Sequence, residues 1–133
     1  MERKLVIKIF LSFALGITLA LLFCKPKKFI ETKIDGRIYL LEIADTNVKR
    51  SKGLMLRKKL PSDRGMIFTF PSEGKHAFWM YKTLIPLKMI WLDKNWNVVD
   101  VEEKALPCES ANPAMCKTYR PDKSAKYVVE INP

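Results

Sequence analysis

The chain has 133 residues, 48% of them hydrophobic, with 24 basic and 14 acidic side chains and a net charge of +10. That is one domain's length with enough apolar content for a core of its own, which excludes a disordered tail. Three cysteines and one histidine exclude a dense disulfide scaffold and leave a structural zinc centre short of ligands.

Residues 1–24 differ from the rest. Arg3, Lys4 and Lys8 form a basic start, and no charge follows from Ile9 to Cys24. Such a segment reads as an apolar helix, either a signal peptide or a membrane anchor. An uncleaved anchor ranks first. A lipoprotein acylated at Cys24 ranks second, because Phe23 replaces the small residue expected before such a cysteine. Full secretion ranks third. Each places the domain outside the cytoplasm, in the periplasm or on the cell surface. Without this segment the net charge is still +8. A basic surface there suits an anionic lipid or polysaccharide and gives no reason to expect nucleic acid.

After a linker and first strand (25–36), residues 37–133 read as a single globular domain. Runs at 29–34 and 37–43 flank Asp35-Gly36, the signature of a tight hairpin. Thr46 caps a short helix over roughly 47–56, which Gly53 limits. Strands follow at 65–70, 76–80, 87–92 and 98–103, separated by turn residues at 71–74 and 93–97. Residues 105–124 form a long loop with Pro107, Pro113, Pro121, Cys108 and Cys116; the last strand is 125–131. The pattern predicts an α+β domain of mostly antiparallel strands. Its sheet is expected to be small and barrel-like or sandwich-like, with one short helix, behind the N-terminal apolar helix.

The order of motifs resembles the family called domain of unknown function 192. It runs from Lys52-Gly53-Leu54-Met55 through Gly65-Met66-Ile67-Phe68, Phe78-Trp79-Met80, Leu84-Ile85-Pro86-Leu87 and Ile90-Trp91-Leu92-Asp93. Pro107-Cys108, Cys116 and Tyr127-Val128-Val129-Glu130 complete it. The resemblance covers about residues 37–131. It implies a β-rich fold, often behind a signal or anchor segment, and no established activity. Lys82 stands where the family commonly has asparagine, and Lys88 where it usually has aspartate.

The chemistry-bearing residues are few. Cys108 and Cys116 lie in one proline-rich loop, and outside the cytoplasm such a pair forms a disulfide. His76 is the lone histidine, a general base only if a carboxylate adjoins it. Arg50, Arg57, Lys82 and Lys88 are candidates for an anion site. Trp79 and Trp91 lie in apolar runs and are expected in the core; Trp96, in a polar hairpin loop, is the better surface aromatic for a sugar face. The candidate ligand-binding set is therefore Arg57, His76, Lys82, Lys88 and Trp96, with no cofactor or metal. These features favour an envelope domain that binds an anionic or saccharide ligand or a partner protein. The alternatives are a hydrolase-like enzyme using His76 and a carboxylate, or a structural accessory domain.

Overall fold

The computed structural model describes residues 28–133. The apolar helix expected over 1–24, and Cys24 with it, lie outside the described residues. Strands β1 (Phe29–Ile34) and β2 (Arg37–Ala44) pair antiparallel around Asp35 and Gly36, whose φ angles of 50° and 81° supply the two positive values a tight primed turn requires. Thr46 accepts a hydrogen bond from the Lys49 amide and starts helix α1 (Asn47–Lys52). Gly53, at φ 48°, ends it, so the glycine sets the boundary as the sequence suggested and the helix stops short of the 47–56 span.

Strand β3 (Arg64–Gly74) then lies parallel to β2. The segment carrying α1 separates the two strands, and a connection that crosses over the sheet returns the chain in its original direction. The expected antiparallel pattern is corrected at this one pair; every other strand pairing is antiparallel. Strands β5 (Leu87–Leu92), β6 (Val98–Ala105) and β8 (Ala125–Ile131) complete a six-stranded sheet in the order β1-β2-β3-β8-β5-β6. Two residues each from β4 (Phe78–Trp79) and β7 (Thr118–Tyr119) form a separate ribbon. The expected strand at 76–80 thus shrinks to two residues. The long loop holds β7 and a single 3-10 turn over Pro113–Met115, capped by Asn112.

Alternation along the strands divides the core into two clusters on opposite faces of the sheet. Phe68, Met89, Trp91 and Val128 point to the face that also holds Leu54, Met80 and Tyr119; Leu41, Ile67, Ile90, Val129 and Ile131 point to the other. The Cys108–Cys116 disulfide is formed, and the Cys108 amide donates to the Met80 carbonyl, so the long loop is pinned beside the ribbon. On the second face the ammonium of Lys88, in β5, lies 3.0 Å from Glu103 of β6 and 3.6 Å from Asp35 in the β1–β2 turn. The sheet therefore curls until its first hairpin reaches its far edge.

Candidate functional site

The sequence candidates do not converge. Arg57 forms a two-pronged ion pair with Glu42, at 2.5 and 2.8 Å, and each group holds the other charged: the Glu42 pKa is lowered and the Arg57 pKa raised, chiefly by this hydrogen bond. Lys88 sits on the opposite face of the sheet, where Glu103 first and Asp35 second raise its pKa. Lys82 lies in a turn at φ 54°, its ammonium over the Tyr81 ring. His76 stacks on Phe70 with ring centres 3.6 Å apart, and its Nε2 meets the Ser72 carbonyl at 3.1 Å. Its partners are thus an aromatic ring and a main-chain oxygen, not the carboxylate a general base would need. Trp96 stacks on Tyr127 at 4.2 Å, so one of its faces is already covered.

The two other tryptophans divide differently from expectation. Trp91 is core, 2% exposed, with its indole N–H donated to the His76 carbonyl at 3.0 Å. Trp79 is not: it is 45% exposed, tilted against Tyr81. Strand β4 is too short to be covered on both sides, so the second apolar residue of the pair Phe78-Trp79 turns outward. Phe78 turns inward, edge-on to Phe68 and Trp91.

Trp79 stands at the rim of a cleft of about 330 Å³ between α1, β3 and the segment leading into β4. Phe68, Phe70 and Phe78 wall it, and Arg50 and Lys52 add positive charge at the helix side. Arg50 is held in place there. Its guanidinium donates to the Thr69 carbonyl and to Asn47, each at 2.6 Å, and covers the Phe70 ring. Thr83 and Glu130, the two buried polar residues of the core, both line this cleft.

Glu130 is the residue that sequence reasoning missed as a site. It lies in β8, the strand flanked by β3 and β5, facing the same way as Val128, with Met66 and Met89 as its register partners on either side. No hydrogen-bond donor or cation among the described residues reaches its carboxylate, and burial alone pushes its pKa up to about 8. The residue is 4% exposed. No fully enclosed side-chain oxygen among the described residues lacks a partner, so Glu130 keeps its contact with solvent through the cleft. The signal that could have found it was an acidic residue inside the apolar run Tyr127-Val128-Val129-Glu130-Ile131 of β8. Strand alternation assigns it to the Val128 face, which proved to be the floor of the cleft.

A family model described as an uncharacterised ACR, domain of unknown function 192, matches residues 30–133. A UPF0127 protein of Thermococcus gammatolerans is 35% identical over 107 residues, 75% of this chain and 60% of that protein. One from Pyrococcus abyssi is 35% identical over 103 residues, covering 74% and 73%. One from Thermococcus kodakarensis is 32% identical over 95 residues, 68% of this chain; the chain thus spans only 52% to 60% of the two Thermococcus relatives. Among crystal structures, a Novosphingobium aromaticivorans protein of unknown function superposes with a TM-score of 0.67 at 28% identity, over 78% of this chain and 71% of that one. A proposed transcription regulator of Sinorhizobium meliloti gives 0.64 at 25% identity, over 81% and 84%.

Proposed function

The chain belongs to the DUF192 family, known also as UPF0127, and from that premise we propose that it is an extracytoplasmic binding domain. It is tethered to the membrane through residues 1–24 and holds a saccharide of the cell envelope in the cleft beneath Trp79. One observation carries this reading: Glu130, buried and without a partner, floors a cleft walled by aromatic rings. The carboxyl meets solvent only through the cleft, and a ligand with hydroxyl or amide groups that fills the cleft takes over the hydrogen bonds solvent would make there. Aromatic side chains offer flat apolar surface to the C–H faces of sugar rings, and the exposed Trp79 is placed to do so. Arg50 and Lys52 suit acidic substituents at the rim, which keeps anionic saccharides within the reading. The disulfide supports an oxidising compartment. A hydrolase built on His76 has less to support it, because that ring is engaged with Phe70 and Ser72.

Calorimetric titration of the full chain with neutral and acidic oligosaccharides tests the reading. Binding is expected, and Trp79→Ala is expected to weaken it about tenfold or more. If no saccharide binds, or if Trp79→Ala leaves binding intact, the cleft is not a saccharide site. Protease treatment of intact cells and of spheroplasts tests the compartment: a domain digested only after lysis would place it in the cytoplasm. Loss of membrane retention in Cys24→Ala would favour acylation over an anchor.

A further inference from the structure

We propose that the ligand is an N-acetylated amino sugar, whose acetamido carbonyl accepts a hydrogen bond from the Glu130 carboxyl while its ring lies against Trp79. The inference rests on the saccharide reading and names the sugar class. It starts from a row of residues that crosses the sheet in register: Glu42, Met66, Glu130, Met89 and Glu102. The outer two acids each have a cation, Arg57 for Glu42 and Lys117, at 3.7 Å, for Glu102. The central one has two methionines for neighbours and no cation. A carboxyl buried in that way keeps its proton, because ionising it would leave a charge in apolar surroundings with nothing to offset it.

A protonated carboxyl is a hydrogen-bond donor, and its natural complement is a neutral acceptor such as an amide carbonyl. Thr83 lines the same cleft, and its hydroxyl is able to accept the amide N–H. Leu54 and Phe68, also lining it, suit the acetamido methyl. The charges facing the cleft discriminate among sugars. Arg50 and Lys52 stand at the helix side and Glu130 is the one acid of the lining, so a free ammonium meets a net repulsive field. A carboxylate pushed to the floor would be buried there without a cation, since Arg50 stands at the helix side with two of its five N–H donors engaged by Thr69 and Asn47. A plain hydroxyl would leave the methyl-sized apolar surface unfilled.

The test is titration of the full chain with three trimers: N-acetylglucosamine, glucosamine and glucose. The N-acetylated trimer is expected to bind about tenfold tighter than either of the others, the value of one hydrogen bond plus a buried methyl. Glu130→Gln keeps a donor in place and is expected to retain affinity within about threefold. It should also abolish the loss of affinity expected of the native chain as Glu130 ionises at alkaline pH. Glu130→Leu is expected to lose about tenfold, with circular dichroism confirming that it folds. Preference for the glucosamine trimer, with Glu130→Gln failing to bind, would mean an ammonium ligand and would overturn the inference while leaving a saccharide site. Equal binding of the glucose trimer would overturn it in the same way. If no trimer binds but an acidic oligosaccharide does, this inference falls and the saccharide reading survives. Silence from every saccharide removes both.

Discussion

In the folded chain the Glu130 carboxyl titrates at about 8, against an ordinary value of 4.5, and the sign of the consequence follows from proton linkage. Between those two values the native state keeps a proton that the unfolded chain has lost, so stability falls as pH rises from about 4.5 and levels off above about 8. Glu130→Gln removes this titration. Chemical denaturation at pH 5, 7 and 9 is expected to show the variant gaining on the native chain at each step; parallel curves would mean that Glu130 is ionised or paired. Glu42 works in the opposite sense. Arg57 lowers its pKa, so the pair contributes above the unfolded value and its contribution fades as pH falls through the lowered one. Gly65 is a second residue whose role is local. A Cβ built there would stand 2.3 Å from the Glu130 carbonyl and 2.7 Å from Ile131. Gly65→Ala must therefore push β3 off β8, and a loss of about 3 kcal/mol or more by denaturant titration is expected. The sequence shows both residues in strands. What it hides is isolation: that no cation reaches Glu130, and that no room remains beside Gly65, are properties of chains meeting from elsewhere.

At the level of elements, the curl of the sheet depends on few contacts. Lys88 is 18% exposed at its side chain and bridges β5, β6 and the β1–β2 turn. Lys88→Asp would set a third carboxylate between Asp35 and Glu103, and a destabilisation of about 1–3 kcal/mol is expected from the lost pair and the new repulsion. A change smaller than the error of a denaturant melt would show that the hairpin closes without the ion pair. The sequence places Lys88 in a strand without showing which acid it meets. Asp100 lies opposite Trp91, on the other face, and the acids actually met come from the neighbouring strand and a distant turn. The 108–116 loop is the other dependent element. Breaking its disulfide with Cys108→Ser should cost about 2–3 kcal/mol in the chain-entropy model. Thermal melts with and without reductant should converge for the variant and differ for the native chain. The parallel pair β2–β3 escaped the sequence reading for a related reason: turn signals report where a chain stops, and the direction of its return is set by where α1 crosses.

For the whole molecule, both core clusters and the complete sheet are built from residues 28–133, the stretch that the family model matches from residue 30. A fragment beginning at residue 25 is therefore expected to fold with one cooperative transition and to keep the cleft. Aggregation of that fragment would mean that the first 24 residues complete the fold. Seven of the eight strands, a short capped helix and the Asp35-Gly36 turn were largely legible in the amino-acid order, because alternation, caps and positive-φ residues act within a few neighbours, while the two-residue β7 lay hidden in the 105–124 loop. The family was legible too, through motifs in a fixed order. The site was not. The five candidate ligand residues, chosen for charge and exposure, scatter over both faces and several turns, while the cleft gathers Arg50, Phe70, Trp79 and Glu130 from separated parts of the chain. Local patterns determined which way each side chain points along its own strand. Only tertiary structure decided which of those side chains meet, because desolvation and pairing depend on what packs above and beside a residue rather than on its neighbours in sequence.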